Sequence, residues 1–464
     1  MCSRLLFLSF SLVLIAWTIN RFKSSPLDVV PTLNYDGLVF FNHSNLHSPS
    51  SETEMVDLVR WAAHEGRKMS VVGSGHSWSA IANCQDILVS LCNYKGLVAL
   101  ERTLGETSVT VKAGTTLGEL NTVLEEHGLA MINLGSISSQ TVAGAVSTAT
   151  HGTGVKFGNM ATLLTKLRFV SGTGEIVTIS KDGENAELFP AAAVSLGMFG
   201  IITEVTFKVR SRFTLAEKSE QYGLHNCLDN IQSLALQSEH VKLWLEVHSE
   251  MCLVVFSNET SDDLRGDPSW MLQNLKVGMF ALIQDWMYLI PRSASTVMRA
   301  LVTYGDMLPL FDRVDVSYNV LNIPHYFPVH SESEVCVGLD KCKHGLLQLI
   351  AVAKDNNLPL NYITEVRFIQ GDDLWLSPHY HRDSCCITLL HYSPDGVVSK
   401  LYFDAYYHAA KQLHPRMHWG KYFNLNPQDV LSMYERFDDF SQARKRMDPK
   451  SIFINAFLSQ TFGF

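Results

Sequence analysis

The chain has 464 residues, 46% of them hydrophobic and 18% charged, with a formal net charge of −9. This hydrophobic content is too high for a disordered chain and allows a large core divided over two or three domains. The acidic balance and the lack of a basic stripe argue against a nucleic-acid-binding protein, so we expect a small-molecule substrate.

The first 24 residues predict a targeting segment. An uncharged, mostly apolar run from Leu5 to Ile19 has basic residues on both sides. As a helix it would reach only about 22 Å, short of the roughly 30 Å hydrocarbon core of a bilayer. A signal peptide or short signal anchor is therefore favoured over a conventional span or a buried helix. With sequons at Asn42 and Asn258, we expect membrane association through this segment and a place in the secretory pathway, at the endoplasmic reticulum membrane or lumen, or secretion.

The first half of the chain predicts strands broken by helices. A helix at 54–66 leads into a strand at 69–72, which ends on a glycine-rich turn. A second helix at 116–127 is closed by Gly128, the usual residue after a helix C-terminus. Further strands are predicted at 87–91, 108–114, 164–170, 175–179 and 201–209.

The pattern changes from residue 211 onward. Strands are predicted at 241–247, 251–256, 362–368 and 386–390, and a helix-rich tail at 427–446. The apolar run 277–290 contains Gln284 and Asp285 and is stopped by Pro291, which favours a buried helix, with an interfacial helix as the alternative. We predict an α+β fold with one domain at 36–210, a second at 211–420, and a segment at 421–464 that returns to the first.

The nine cysteines are scattered along the chain, and their odd number leaves at least one unpaired in a monomer. Cys336 and Cys342 are candidates for pairing across a short loop. No C-x-x-C metal spacing appears.

The turn Gly73-Ser74-Gly75-His76-Ser77 directly follows the strand at 69–72. Glycine has no Cβ and lets backbone N–H groups approach a phosphate closely. The spacing is not G-x-G-x-x-G, so a nicotinamide-binding Rossmann fingerprint is not supported. Taken alone, His76 is better explained as a histidine that caps a turn than as a nucleophile toward a cofactor.

Two further stretches of small and hydroxylated residues change that balance. Such residues pack a core poorly but supply backbone and hydroxyl donors along a polar cofactor. One runs from 133 to 154 and the other from 195 to 205. The candidate cofactor-binding residues within them are Gly135, Ser136, Ser138, Gly144, Ser147, Thr150, His151, Gly152, Gly200 and Ile202.

Together these stretches resemble the vanillyl-alcohol-oxidase superfamily of FAD enzymes, and within it the aldonolactone oxidoreductase branch with its gulonolactone oxidases. The resemblance covers nearly the whole chain after residue 35. It implies a two-part FAD-binding domain of the PCMH type, a substrate (cap) domain with an antiparallel sheet, and FAD bonded covalently to His76. No cysteine lies between Gly135 and Gly154, so a single covalent attachment is implied.

The distal half carries more of the family pattern, in Glu365-Val366-Arg367-Phe368 and His418-Trp419-Gly420-Lys421. Strand alternation places Glu365 and Arg367 on one face; a solvated salt bridge is the alternative to an active-site pair. The resemblance implies hydride transfer from C2 of an aldonolactone to flavin N5, yielding ascorbate or an analogue. Glu365 is the candidate for orienting the hydroxyl or accepting its proton, Arg367 for holding substrate oxygens, and Lys421 for stabilising negative charge.

Gly135 bears on the electron acceptor. A plant dehydrogenase of this branch has alanine at the matching position, where its methyl group keeps oxygen from the flavin. Glycine therefore predicts an oxidase that reduces O2 to hydrogen peroxide. Ala149 departs from the glycine that the lactone oxidases usually carry there.

Other functions remain open on the sequence alone. An alditol or other sugar oxidase would share the same motifs. A metal-dependent lumenal hydrolase would use His379, His381, Asp372, Asp373 and His391. A flavin-binding protein that has lost catalysis is a further alternative.

Overall fold

The computed structural model describes residues 30–247, 250–265, 296, 312–322, 329–356, 360–393 and 395–464. The predicted targeting segment at 1–24 and the predicted apolar helix at 277–290 lie outside these residues. Among the helices that are described, none combines the length and the apolar character needed to cross a bilayer.

A three-stranded parallel sheet opens the fold, with the strand order β1-β3-β2. Its strands are β1 (Leu46–His47), β2 (Met69–Val72) and β3 (Ile87–Ser90). Because the strands are parallel, the residues that follow β2 and β3 emerge at the same edge of the sheet.

A six-stranded antiparallel sheet follows, in the order β4-β5-β9-β7-β8, with β6 paired to β9. Its strands are β4 (Leu97–Thr103), β5 (Glu106–Lys112), β6 (Leu129–Ala130), β7 (Leu164–Ser171), β8 (Ile176–Ser180) and β9 (Gly200–Ser211).

The second half forms an eight-stranded antiparallel sheet, in the order β13-β10-β12-β11-β15-β16-β14-β17. Its strands are β10 (Thr214–Gly223), β11 (His240–Leu245), β12 (Met251–Thr260), β13 (Arg313–Val316), β14 (Ser331–Gly338), β15 (Thr364–Ile369), β16 (Ser384–His391) and β17 (Arg416–Met417). The α+β class and the antiparallel sheet of the second half are confirmed. The domain limits stay a prediction.

Side-chain caps start several of the helices. Ser51 accepts from Glu54 N at the first helix, and Thr116 and Glu119 form a reciprocal capping box at the second. The helices are α1 (Glu52–Glu65), α2 (Leu117–Glu126), α3 (Val142–Ser147), α4 (Phe189–Ala192), α5 (Leu224–Asp229), α6 (Ile231–Ala235), α7 (Ser317–Leu321), α8 (Cys342–Asp355), α9 (Val397–Ala410), α10 (Pro427–Met433), α11 (Phe437–Met447) and α12 (Ala456–Phe462).

The suggested pairing of Cys336 with Cys342 is wrong. Cys336 pairs with Cys386, its direct partner across β14 and β16, while Cys342 at the start of α8 pairs with Cys385. Neighbouring residues of a strand point to opposite faces, so the two bonds leave β16 on opposite sides. A third disulfide joins Cys227 to Cys252.

Candidate active site

A cavity of about 500 Å³ lies at the edge where β2 and β3 end, within the usual size range of ligand sites. The turn at 73–77 forms one wall, and segments near residues 113–116, 139–148 and 196–202 form the others. Phe453 and Leu458 close it from the C-terminal tail. These two residues come from the segment that the sequence predicts to return to the first domain; that domain assignment stays a prediction.

The glycine turn lies in close contact with the neighbouring wall. A Cβ on Gly73 would lie 2.5 Å from Thr141 Oγ1, and one on Gly75, whose φ is +70°, would lie 2.9 Å from Pro31. Side chains at these positions would have to displace the wall. At this turn the cavity wall is thus formed by backbone and small side chains, which fit the phosphate groups of an extended cofactor such as FAD.

The predicted cofactor-binding residues divide into three groups. The whole turn Gly73–Ser77 lines the large cavity, together with Gly144, Ser147, Gly200 and Ile202. Ser136 lines a different, smaller cavity. The remaining five are on neither lining, namely Gly135, Ser138, Thr150, His151 and Gly152.

The second cavity, of about 80 Å³, adjoins the first: Tyr35 and His76 belong to the walls of both. Their rings lie 4.5 Å apart. The rest of this wall is mainly aromatic and charged. His76 therefore stands at the junction of a cofactor-sized cavity and a small one lined by aromatic and charged side chains.

Glu365 and Arg367 lie together in the wall of the small cavity, on one face of β15 as the alternation predicts. Arg367 Nη2 donates to Glu365 Oε2 at 2.6 Å and to Ser136 Oγ at 2.6 Å, which links β15 to the first half of the chain. Trp244 Nε1 donates to Glu365 Oε1 at 3.0 Å. Burial opposes ionisation of Glu365, but the Arg367 charge lowers the pKa of this carboxyl below its ordinary value.

Lys421 is not an isolated positive charge. Its Nζ lies 2.6 Å from Glu332 Oε2 and 2.5 Å from Glu334 Oε2, and it is not on the lining of either cavity. Burial favours the neutral amine, but the two carboxylates raise the pKa of Lys421. The predicted cation is therefore present, but two carboxylates already compensate it.

Glu334 connects this lysine to residues of the first half. Its Oε1 lies 2.6 Å from His151 Nε2, and its Oε2 accepts from Thr388 Oγ1 at 2.7 Å. Although burial raises the pKa of Glu334, Lys421 and His151 hold it well below its ordinary value. His151 therefore forms part of the contact between the two halves of the chain and lines neither cavity.

The candidate ligands of the alternative metal site do not form one cluster. His391 binds Ser399, and His381 pairs with Asp373 at the surface. The one cluster of potential ligands within the described ranges contains His151, His379, Cys336 and Cys386, and its two sulfurs are bonded to each other. The arrangement does not support a metal-dependent hydrolase.

Several wall residues were missed by the sequence reasoning. Glu332 and Glu334 alternate with serines at the start of β14, and this polar run gave no local signal that the acids would be buried. The aromatic members carried no local signal, because contacts between distant parts of the chain place them. They are Tyr35, Trp78, Trp244 and His330.

Two family profiles match the chain. The FAD binding domain profile covers residues 45–180. The D-arabinono-1,4-lactone oxidase profile covers residues 205–461, which contain the eight-stranded sheet and the Glu365–Arg367 pair.

Full-length relatives agree with these profiles. L-gulonolactone oxidase of Bos taurus is 30% identical over 92% of this chain and 99% of its own length. L-gulonolactone oxidase of Mus musculus is 31% identical over 90% and 94%. L-gulono-1,4-lactone dehydrogenase of Mycobacterium tuberculosis is 27% identical over 93% and 98%.

The fold has solved counterparts. Cholesterol oxidase from B. sterolicum superposes with a TM-score of 0.78 over 95% of this chain and 98% of its own, at 14% sequence identity. At that identity the likeness concerns the fold alone. The profiles and the full-length relatives establish that this chain belongs to the D-arabinono-1,4-lactone oxidase family of FAD-binding oxidoreductases.

Proposed function

We propose that this chain is an FAD-dependent oxidase of aldono-1,4-lactones, of the L-gulono- or L-galactono-lactone type, with FAD attached covalently to His76. The observation that carries the proposal is the position of His76 in the walls of both cavities. A flavin attached there would place its reactive ring beside the small cavity. That cavity suits a compact, hydroxylated substrate.

The side chains of the small cavity suit a sugar lactone. Bound FAD would accept the hydride from C2 of the lactone, whose product becomes ascorbate or an analogue. Arg367 has a fixed orientation through Glu365 and Ser136 and would hold substrate oxygens by donating hydrogen bonds. Trp244 and Tyr362 supply flat apolar surface in the same wall for the C–H faces of the sugar.

Molecular oxygen is the proposed electron acceptor, with hydrogen peroxide as its product. Gly135 supports this by resemblance, and its surroundings suggest how alanine would act. A Cβ at Gly135 would lie 2.7 Å from Thr150 Cγ2 and 3.4 Å from His151 O. Gly135→Ala should slow reoxidation of the reduced enzyme by oxygen, and adding Thr150→Ser, which removes that methyl group, should restore part of the rate in stopped-flow measurements.

We also propose that the protein works in an oxidising compartment of the secretory pathway. Three disulfides are present in the described part of the chain, and disulfides persist mainly in such compartments. Mass spectrometry of the protein from its native cells, with thiols blocked at lysis, would find these cysteines paired; free thiols at all six would reject this part of the proposal.

A substrate panel with peroxide detection tests the activity. The purified holoprotein should oxidise L-gulono- or L-galactono-1,4-lactone and form peroxide in equal amount. Arg367→Met should lower kcat/KM about 10²-fold. Arg313→Met is the matched control, because Arg313 pairs with Glu217 in the same sheet at 2.9 Å but lies on neither cavity.

Two results of this panel decide against the proposal. Turnover of xylitol without turnover of any aldonolactone would show an alditol oxidase instead. Equal losses in the Arg367 and Arg313 variants would show that Arg367 serves only the stability of the sheet.

A further inference from the structure

The wall of the small cavity contains a second polar pair beside Glu365 and Arg367. His330 Nε2 lies 2.8 Å from Glu332 Oε1, and both residues line the cavity. Both side chains are largely buried, with exposures of 5% and 13%. We propose that His330, oriented by Glu332, is the base that accepts the hydroxyl proton of the substrate. This inference rests on the proposed function and adds the proton-accepting residue that the proposed function does not name.

The other ionisable groups of the wall are poorly suited to accept a proton. Glu365 is buried, yet Arg367 lowers its pKa, so this carboxylate binds a proton weakly. Burial also disfavours ionisation of Glu332, but Lys421 and His330 lower its pKa to about 2. Arg367 stays protonated, and His76 is the proposed flavin attachment. Histidine is the side chain that most often serves as a base near neutral pH.

Glu332 fixes the state of the imidazole. Because the carboxylate is ionised, Nε2 carries a proton and donates it to Oε1, and Nδ1 is then the basic nitrogen of the neutral ring. The same carboxylate stabilises the imidazolium once a proton has been accepted. Lys421 binds the other oxygen, Oε2, at 2.6 Å and keeps Glu332 ionised.

The surroundings hold His330 close to the flavin attachment point. Trp78 Nε1 donates to the His330 carbonyl oxygen at 2.8 Å. The ionisable rings that face His330 are those of Tyr35, at 5.4 Å, and Tyr362, at 4.8 Å. Tyr35 in turn contacts His76, so one aromatic ring separates the base from the proposed covalent bond.

The proposed step balances as an alcohol oxidation. The O–H bond would break with its proton going to His330, while the C–H bond would break with its hydride going to FAD when FAD is bound. The C–O single bond becomes a carbonyl. The substrate would lose two electrons; FAD, when bound, would supply the acceptor for them, and O2 would be the final acceptor, reduced to hydrogen peroxide.

Anaerobic stopped-flow reduction of the bound flavin across a range of pH tests this role. In wild type the rate should fall at acid pH, as the base becomes protonated. His330→Gln should lower the rate about 10²- to 10⁴-fold and remove this acid limb. Glu332→Gln should lower the rate less, because the neutral amide no longer stabilises the imidazolium that forms on His330.

His381→Gln is the matched control, since His381 also pairs with a carboxylate, that of Asp373, but at the surface; it should leave rate and pH profile unchanged. A wild-type rate and acid limb in His330→Gln would overturn the proposal, as would loss of the limb in Glu365→Gln with its retention in His330→Gln. If His330→Gln does not retain flavin, the flavin-reduction rate of Glu332→Gln decides, and a wild-type rate in that variant rejects the base.

Failure of this inference is distinguishable from failure of the proposed function. The wild-type flavin is first exposed to aldonolactones and to alditols. If only an alditol reduces it, the lactone assignment fails, and the role of His330 is measured with that alditol.

Discussion

Single residues near the small cavity carry charges that are buried in contact with one another. Lys421 lies between Glu332 and Glu334, and Arg367 binds Glu365. Removing one member of such a group leaves its partner buried and uncompensated, which costs far more than the contact itself contributes.

Lys421→Met should therefore lower the free energy of unfolding by about 3–5 kcal/mol at pH 7, measured by urea denaturation. In wild type the pKa of Glu332 is lowered to about 2 from 4.5, so its stabilisation is present above pH 4.5 and is lost as the pH falls toward 2. In the variant, burial still raises the pKa of both carboxyls and the Lys421 charge no longer opposes it, so the deficit should shrink at pH 5. The double variant Lys421→Met with Glu332→Gln should recover part of the lost free energy of unfolding. A loss that is the same at both pH values and is unchanged by the second substitution would refute the charge argument.

Ala149 shows what a departure from the family pattern costs. It is fully buried and has a φ of +55°, a left-handed conformation that costs a residue with a Cβ about 1–2 kcal/mol. Ala149→Gly should raise the free energy of unfolding by up to about 1 kcal/mol. Ala145→Gly, within α3, should lower it by a similar amount. Destabilisation of equal size in both variants would show that the lost methyl contact outweighs the strain at Ala149.

At the scale of elements, helix α2 links local sequence to the wall of the large cavity. Its capping box is local, since Glu119 Oε2 accepts from Thr116 N at 2.8 Å and Thr116 Oγ1 accepts from Glu119 N at 3.2 Å. Thr116 is also part of the cavity wall.

Thr116→Ala should lower the free energy of unfolding by about 1 kcal/mol, because it leaves the N–H of Glu119 without its acceptor. Thr122→Ala is the control within the same helix, and it should be neutral or slightly stabilising because alanine has the higher helix propensity. Thermal or urea unfolding would measure both. An equal change in the free energy of unfolding of the two variants would mean that the Thr116 cap does not stabilise the protein.

Local signals made these elements predictable. The strand at 69–72 has the predicted bounds, and the helix expected at 116–127 is observed at Leu117–Glu126. The face shared by Glu365 and Arg367 followed from alternation alone. Cysteine pairing could not be predicted in this way, because it depends on the register of β14 against β16, which local sequence does not determine.

At the scale of the whole molecule, the small cavity forms where the eight-stranded sheet meets loops of the first half. Arg367 reaches Ser136, and Glu334 reaches His151, across long stretches of sequence. Such contacts explain why His330 and Trp78 could not be identified from the sequence, although the turn at 73–77 and the Glu365–Arg367 motif could.

The buried contact between the halves also predicts acid sensitivity. Burial lowers the pKa of His418 from 6.5 to about 3, so the unfolded chain takes up a proton that the folded imidazole does not. Stability should fall as the pH drops from 6.5 toward 3, by about 2 kcal/mol between pH 6.5 and 5 from this group.

His418→Asn should flatten that dependence because it removes the imidazole that takes up a proton on unfolding. Asparagine can still accept the hydrogen bond that Gly420 N donates to His418 Nδ1 in wild type. His64→Asn, at an exposed position of α1, should leave it unchanged. Urea unfolding between pH 7 and 5 would measure the three proteins, and parallel curves for wild type and His418→Asn would rule out this source of acid sensitivity.

The attachment of FAD to His76, at the junction of the two cavities, is the central claim, and acid precipitation of the purified protein tests it most directly. Yellow colour should remain in the precipitate of wild type and of the His64→Ala control, and should be released to the supernatant from His76→Ala. Colour released from wild type as well, or retained by His76→Ala, would contradict the covalent bond to His76.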